Sequence, residues 1–230
     1  MPTKSSDRGF IGTSDIPYRS FDSLYSVIDT GASVNNPNAV VFGNMFADKD
    51  KGKYSGFVGA FGMRKFSKEE AEKINPTLVG FLTSCHPHHA NDIGCVEGTI
   101  WGAIESGKAR MLKDGEQADT GVKASLESGV GVVQLIGNSG NTYYYVHQDG
   151  RGFVTESGMS VVAGQQICKT YTKGAFPAHL HFSFKKSGAI EFSDPLSELF
   201  TLPQVQAIPE MKKFYDDTKK AGLGAILRMC

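Results

Sequence analysis

The sequence predicts a mainly β protein, with one antiparallel β-sheet domain and short helical extensions at its N-terminal and C-terminal ends. Two observations predict it. Short apolar runs separated by glycine, asparagine, aspartate and serine fill the middle of the chain, whereas apolar residues near the ends follow a helical spacing. We therefore divide the chain into an N-terminal arm over residues 1–53, a β-domain over 54–200 and a C-terminal helical extension over 201–230.

The N-terminal arm contains one amphipathic pattern. Four of its apolar residues are spaced at i, i+3, i+4 and i+7, which places them on one face of a helix. They are Phe21, Leu24, Tyr25 and Ile28. The spacing predicts a short helix over Ser20–Asp29 that docks on the main body of the protein.

The central region is predicted to form strands joined by tight turns. Its apolar runs have strand length, and clusters of turn-forming residues follow them, as in antiparallel hairpins. The runs are Gly131–Ile136, Thr142–Val146, Gly158–Ile167 and His179–Phe184. The turn clusters are Asn138–Asn141, Gln148–Gly150 and Lys186–Gly188. One stretch differs, because Ser67–Lys73 has the composition of a helix.

The C-terminal extension is predicted to contain an amphipathic helix. Pro209 suits the first turn of a helix, and Gly222 suits its end. The apolar face between them carries Met211, Phe214, Tyr215 and Ala221. We expect this face to pack on the chain's own domain rather than on a partner.

The overall composition argues against two classes of protein. Lys+Arg and Asp+Glu both number 24 in the 230 residues, so the formal net charge is zero. A general nucleic-acid-binding protein normally carries a basic excess, and we expect no nucleic-acid partner. No apolar run approaches the roughly 18 residues of a membrane span, and no secretory signal is recognisable. The expectation is a protein made in the cytoplasm, without a membrane span.

The cysteines leave two interpretations open. They lie at positions 85, 95, 168 and 230, and no Cys-x-x-Cys pair indicates a structural zinc knuckle. Cys85 and Cys95 bracket a histidine-rich segment that a disulfide between them would staple. The interpretation we favour is four thiols without a disulfide, in a reducing compartment.

The histidines are concentrated in a few short segments. They are His86, His88, His89, His147, His179 and His181. In the strand predicted around residue 180, side chains two positions apart point to the same face. His179 and His181 therefore project together, while Leu180 and Phe182 face the core. A His-x-His pair alone is equally typical of two surface histidines.

A further nitrogen and a carboxylate come from the pair His88 and Asp92, four residues apart. With His181 they form a His/Asp/His set. Catalytic zinc typically keeps three protein ligands and leaves one position open for water. His86 and His89 are alternative ligands, because a histidine-rich run leaves the register open. The alternative without a metal is a flexible polar loop.

A series of short segments in a distinctive order runs from Phe61 to Pro195. The segments are Phe61–Arg64, His88–Asp92, Gly98–Thr99, Ser106–Gly107, Tyr145–His147, Gly158–Ile167, His179–Phe182 and Asp194–Pro195. In order and spacing they resemble the FGxR, HxxxD, GT…A…G, YxH, GxxVxxGQxI, HLHF and DP elements of the M23 (lysostaphin/LytM-type) zinc metallopeptidases. The resemblance covers well over half of the chain.

This resemblance implies a LytM-like (duplicated hybrid motif-like) β-domain and a zinc-dependent endopeptidase that cleaves peptide cross-links of bacterial peptidoglycan. By the family's pattern, His88, Asp92 and His181 bind Zn²⁺. His147 and His179 are then the catalytic histidines, and the resemblance does not divide the roles between them. Nor does it identify the peptide bond that is cut.

Some features depart from the family or extend it. Ala90 stands where the family usually has glycine, and Met111–Ser125 resembles an insertion in a loop near the groove. The stretch that contains Ser67–Lys73 is also long. Such insertions alter specificity more readily than chemistry. Finally, one of the three tyrosines Tyr143–Tyr145 is a candidate to assist at the oxyanion, whereas core packing is the expected role of at least one of them.

Other functions on the same scaffold are also considered. One is a catalytically silent cell-wall-binding or structural assembly module, which the intact set of site residues disfavours. Another is a metalloenzyme that acts on a non-wall peptide or amide. A biotinyl or lipoyl carrier is disfavoured, because Lys108 lacks the hairpin-tip setting that such a carrier needs. The absence of an export signal predicts delivery as a phage virion component, with other phage structural proteins as partners, or as a lysis enzyme.

Overall fold

The computed structural model describes residues 38–46 and 54–220. Within this part the strands are β1 Tyr54–Gly59, β2 Gly62–Arg64, β3 His86–His88, β4 Asn91–Cys95, β5 Ile100–Gly102, β6 Gly107–Met111, β7 Val132–Gly137, β8 Thr142–Val146, β9 Gln148–Asp149, β10 Met159–Val161, β11 Gln166–Thr170 and β12 His179–Lys185. The α-helices are α1 Lys68–Ile74, α2 Val79–Leu82, α3 Pro195–Glu198, α4 Pro203–Gln206 and α5 Pro209–Lys220. The helix predicted over Ser20–Asp29 lies outside the described residues.

The strands form three antiparallel sheets. The largest has seven strands in the order β1-β4-β12-β8-β7-β6-β10. A second sheet has the order β5-β11-β9, and the third pairs β2 with β3. This architecture confirms the prediction of a mainly β, antiparallel fold with few helices. None of the helices in the described part of the chain is long and apolar enough to cross a membrane.

The predicted hairpins are present only in part. The run Gly158–Ile167 is not one hairpin, because β10 pairs with β6 in the large sheet whereas β11 pairs with β5 and β9 in the second sheet. β7 and β8 are joined through the predicted turn, where Gly137 N donates to Asn141 O over 2.8 Å. The cluster Gln148–Gly150, predicted as a turn, instead contributes the short strand β9. Its residues pair with β11, Asp149 opposite Lys169, because the backbone there continues the second sheet.

The two faces of the large sheet have different environments. Tyr143 and Tyr145 on β8 point into the main hydrophobic core, which also contains Trp101 from the second sheet, so this core lies between the two sheets. Tyr144 and Val146 point the other way and belong to a smaller apolar cluster with residues of the segment 112–130. The large sheet is therefore covered on both faces around β8.

Residues near both ends of the described chain join the main core. The Phe46 and Phe214 rings lie 4.8 Å apart, centroid to centroid, and Met211 is fully buried. The helix predicted from Pro209 is confirmed as α5, and Met211, Phe214 and Tyr215 pack on the chain's own core as expected. Ala221 and the predicted end of the helix at Gly222 lie outside the described residues. The division into arm, domain and extension stays a prediction.

A helical segment lies between β2 and β3. Its first helix, α1, begins with a capping box in which Ser67 and Glu70 satisfy each other's backbone N–H groups, as the helical composition there predicted. Asn75, which caps the next turn, donates from Nδ2 to the carbonyl of Ala175 over 3.1 Å. The segment therefore braces the loop that precedes β12.

The cysteines differ from both interpretations. Cys95 and Cys168 are free thiols, so no disulfide joins Cys85 to Cys95. Cys95 Sγ lies 3.3 Å from Thr170 Oγ1 instead. Cys85 is nevertheless disulfide-bonded, and the interpretation of four unpaired thiols is wrong for that residue.

Candidate active site

A group of polar side chains lies on the face of the large sheet opposite the main core. β4 and β12 are neighbours, and Asp92 stands directly opposite His181 in their register. Leu180 and Phe182, the neighbours of His181 on its strand, are fully buried in the core. The alternation of β12 therefore directs its histidines away from the core, as the His-x-His spacing predicted.

Three of these side chains converge on one point. His88 Nε2 lies 3.2 Å and His181 Nδ1 lies 3.0 Å from Asp92 Oδ1. The two ring nitrogens are 3.1 Å apart. Among the described residues, this is the group whose ligand atoms are close enough to hold one metal ion, all within 4.8 Å of one another.

A hydrogen bond at the ring nitrogen that does not face Asp92 fixes the orientation of the His88 ring. Its Nδ1 lies 2.6 Å from the carbonyl oxygen of Ala60. A carbonyl only accepts hydrogen bonds, so Nδ1 carries the proton and Nε2 presents a lone pair to Asp92 and His181. With His88 and His181 both neutral, the three converging atoms share at most one hydrogen, the one that His181 has when its proton is on Nδ1.

The other two site histidines are held in the same way. His147 donates from Nδ1 to the carbonyl of Gly129 over 2.8 Å, and His179 donates from Nδ1 to the carbonyl of Pro177 over 2.6 Å. Their rings are 4.5 Å apart, centroid to centroid. His179 Nε2 lies 3.8 Å from Asp92 Oδ1. Both histidines therefore flank the three converging side chains and keep an Nε2 lone pair.

The backbone at His147 adopts a rare conformation. Its φ angle is 65°, in the left-handed region that non-glycine residues enter at a cost of about 1–3 kcal/mol. The carbonyl of His147 accepts a hydrogen bond from Tyr171 N over 2.8 Å, and the ring of Phe176 lies 4.7 Å from the imidazole. The loop that follows β11 thus holds the histidine in place from both its backbone and its side chain.

The buried setting shifts the pKa values of three groups at the site, Asp92, His147 and His181. Burial raises the pKa of Asp92, but His88, His179 and His181 together lower it by more, so that it lies well below 3.8. Burial lowers the pKa of His181 to about 4, although Asp92 raises it. Burial also brings the pKa of His147 well below 6.5, with His179 and His181 adding to the shift. At neutral pH the Asp92 carboxylate is therefore ionised, and the rings of His181 and His147 are neutral.

The two alternative histidine ligands point elsewhere. His86 Nδ1 lies 2.9 Å from the carbonyl of Ser84, and its ring packs 4.4 Å from that of Phe81. His89 stacks on Phe192 with ring centroids 5.5 Å apart. The register that the sequence left open is thus settled geometrically, with His88 as the member of the run that faces Asp92.

Core packing, the role expected for at least one tyrosine of the run Tyr143–Tyr145, is confirmed for Tyr143 and Tyr145, and all three hydroxyls are engaged away from the oxyanion position. The Tyr143 hydroxyl donates to Glu105 over 2.6 Å. The Tyr145 hydroxyl donates to Gly102 O over 3.1 Å, and the Tyr144 hydroxyl accepts from Gln134 over 2.9 Å. Alternation along β8 sends the first and third rings into the core and the second into the cluster beneath the segment 112–130.

Arg64 lies at the site, although the sequence predicted no chemical role for it. Arg64 donates from Nη1 to Asp92 Oδ2 over 2.9 Å. The two residues are 28 positions apart, and no local spacing connects them. The sequence feature that could have indicated this role is the position of Arg64 at the end of the Phe61–Arg64 segment, which precedes the metal-ligand motif.

Comparisons with known proteins give structural similarities only. No known family profile matches the sequence, and no curated protein matches it either. The catalytic domain of lysostaphin from Staphylococcus simulans is 24% identical over 61% of this chain and 88% of that one, with a TM-score of 0.41. The longer lysostaphin structure is 26% identical over 60% of this chain and 48% of that one, at 0.37, so the match spans about half of that protein.

A further similar structure belongs to an assembly. It is the complex of SpoIIQ and SpoIIIAH, 22% identical over 64% of this chain and 94% of that one, with a TM-score of 0.40. The structural neighbours are thus lysostaphin/LytM-type domains at low sequence identity. We base the functional proposal on the geometry of the site.

Proposed function

We propose that this protein is a zinc-dependent endopeptidase that cleaves peptide cross-links of bacterial peptidoglycan. One observation carries the proposal: His88 Nε2, Asp92 Oδ1 and His181 Nδ1 converge with at most one hydrogen between them, and two more histidines flank the group. Three buried atoms that carry lone pairs and share at most one hydrogen favour a cation among them. These three potential ligand atoms therefore favour a cation over a neutral ligand.

The residues present fit zinc in particular. Two imidazole nitrogens and one carboxylate oxygen match the three-ligand sets of catalytic zinc sites, which keep a further position open. The second ring nitrogen of His88 is hydrogen-bonded to Ala60 O, the arrangement that orients most metal-binding histidines. Calcium and magnesium prefer oxygen ligands, so the two imidazoles favour a transition metal ion.

The flanking histidines supply the proton chemistry. When bound at such a site, zinc acidifies a water molecule and polarises a carbonyl group. His147 and His179 each present Nε2, because Nδ1 is engaged by a backbone carbonyl. A neutral ring accepts a proton at Nε2 and, once protonated, donates it to the leaving amine or to a developing oxyanion. The braced loops hold both rings in position before substrate arrives.

The proposal is tested by metal removal and restoration. We expect dialysis against a strong chelator to abolish the release of new amino termini from purified cell wall, and added zinc to restore it. His181→Ala is expected to lose both zinc binding and activity. Normal zinc binding by this variant would show that the ligand assignment is wrong.

The substrate is tested separately from the metal. Mass spectrometry of the digested wall should show muropeptides cut within their peptide cross-links. A zinc-loaded protein that binds the wall without cutting it would instead indicate the cell-wall-binding or assembly module. How the protein reaches the wall, as a virion component or a lysis enzyme, stays a prediction, and mass spectrometry of purified particles tests it.

A further inference from the structure

The two oxygens of Asp92 have different surroundings. Oδ1 faces His88 and His181, whereas Oδ2 accepts a hydrogen bond from Arg64 Nη1 over 2.9 Å. The carboxylate side chain is 8% exposed and that of Arg64 is 21% exposed. Since both partners are largely withdrawn from water, the ion pair is stronger and less mobile than a surface pair.

The fold delivers Arg64 and a ligand from the same small sheet. β2 and β3 pair so that Gly62 stands opposite His88 and Arg64 stands opposite His86. A displacement of this sheet would therefore shift the arginine and the His88 ligand together. The pairing couples the position of Oδ2 to the position of His88 Nε2.

A glycine on the neighbouring strand makes room for the carboxylate. A Cβ atom at Gly59 would lie 2.2 Å from Asp92 Oδ2, closer than any non-bonded contact allows. Gly59 stands opposite Asp92 in the pairing of β1 with β4. The carboxylate can thus take this position because residue 59 carries no side chain.

The guanidinium has few other interactions. Its Nε is buried and has no hydrogen-bond partner among the described residues. Its Cζ lies 5.2 Å above the ring of Phe66, within the range of a cation–π contact. Arg64 is therefore oriented by one aromatic ring and one carboxylate, and its hydrogen bonding is directed at the site.

We propose that Arg64 is a positioning residue: it holds Asp92 Oδ2 so that only Oδ1 is offered to the metal ion, as a one-oxygen ligand. This inference rests on the proposed function. Two effects oppose each other, because the positive charge of Arg64 repels a cation, whereas the hydrogen bond aligns the ligand. Groups that orient ligands in this way typically change metal affinity by about 10–100-fold, and we expect alignment to outweigh repulsion.

The test compares the zinc affinities of variants by competition with a chromogenic chelator. Arg64→Met keeps side-chain length and removes both the charge and the hydrogen bond, and we expect its affinity to fall by about 10–100-fold. Arg64→Lys keeps the charge but offers a single point donor, so a smaller loss is expected. The matched control is Arg110→Met, since Arg110 also pairs with a carboxylate, that of Glu116, but away from the site. Its zinc affinity should equal that of the unaltered protein.

A second measurement separates positioning from a general structural role. Cobalt substituted for zinc reports its coordination number through its visible absorption. If Asp92 is released from Arg64 and binds through both oxygens, the Arg64→Met spectrum should change toward five-coordination, while the Arg110→Met spectrum should not. Thermal unfolding of the metal-free variants checks that each one is folded.

The possible outcomes are distinguishable. Zinc affinity in Arg64→Met that is unchanged or tighter, in a folded protein, would overturn the positioning role and leave the proposed function standing. An equal loss in Arg110→Met would also overturn it, because the effect would then be unspecific. Failure of the unaltered protein to bind zinc would overturn both proposals.

Discussion

Two buried carboxylates in this protein have opposite hydrogen-bond surroundings. Glu105 is fully buried, and its oxygens accept three hydrogen bonds, from Ser139 N at 2.7 Å, Ser139 Oγ at 2.9 Å and the Tyr143 hydroxyl at 2.6 Å. Asp92 accepts one bond from Arg64 on Oδ2, and its Oδ1 faces two ring nitrogens. Glu105 is surrounded by donors, whereas the only donor that Oδ1 of Asp92 meets with neutral rings is His181 Nδ1 in one of its tautomers.

We would expect this difference between a structural carboxylate and the metal ligand that we propose Asp92 to be. The protein itself supplies the donors that Glu105 needs, so that region is complete without any added group. Around Asp92 Oδ1 the protein supplies two imidazole nitrogens, which with neutral rings bring at most one hydrogen, and a cation would complete this setting. Counting the hydrogen-bond donors around these two carboxylates therefore distinguishes them without reference to any relative.

The largest effect expected is on Asp92. Asp92→Asn keeps the size of the side chain but places an amide N–H₂ where it can donate to His88 and His181, with its oxygen toward Arg64. We expect zinc binding to be lost and activity to fall roughly a thousandfold or more, because the metal-dependent chemistry is removed. The unfolding free energy of the metal-free protein should not fall, since the acceptors now have a donor. Zinc titration and urea unfolding measure the two quantities, and retained zinc at normal affinity would contradict the comparison.

A smaller loss is expected at the flanking histidines. His179→Ala removes a group that handles protons but no converging ligand atom, so zinc should remain bound. Activity should fall by about 10²–10⁴-fold, the usual contribution of a general acid or base. Steady-state rates on a defined cross-linked peptide, with metal content measured on the same sample, check this. The parallel variant His147→Ala serves for comparison, and loss of the metal in either variant would contradict the division between ligands and proton-handling residues.

The smallest effect on function is expected at Glu105. Glu105→Ala leaves the Ser139 N–H and the Tyr143 hydroxyl buried without an acceptor, and an unsatisfied buried group costs about 1–3 kcal/mol. Zinc affinity and the rate at saturating substrate should be unchanged in the fraction that is folded. Urea unfolding of the metal-free protein gives the stability, and a chelator competition gives the affinity. A loss of zinc binding comparable with that of Asp92→Asn would remove the distinction between the two carboxylates.

Local patterns predicted the elements that carry the site. Alternation around residue 180 is a property of the strand itself, so the common face of His179 and His181 followed from spacing. The segment Lys68–Ile74 formed as a helix because Ser67 caps it within three residues. Predictions of this kind depend on neighbours in the sequence and are independent of the rest of the fold.

Other features depend on contacts that no local pattern contains. Which histidine of the run faces Asp92 depends on the pairing of β2 with β3, across the helical insertion. No local pattern showed which tyrosines of β8 face the core, because this depends on the position of the strand between β12 and β7 in the sheet. The brace from Asn75 to Ala175 joins positions 100 residues apart. The candidate ligands were thus predictable as a set, and their individual geometry was not.

The strand β12 contributes to the core and to the site with alternate residues, Leu180 and Phe182 on one side and His179 and His181 on the other. Deletion or insertion of a single residue there would exchange the two faces, placing imidazoles among aromatic rings and aliphatic side chains in water. Variants that change the length of this strand should therefore misfold, so that they are lost before any change in the site itself matters. Length variation is expected instead in the connecting segments, where it can alter the surroundings of the site and leave the fold intact.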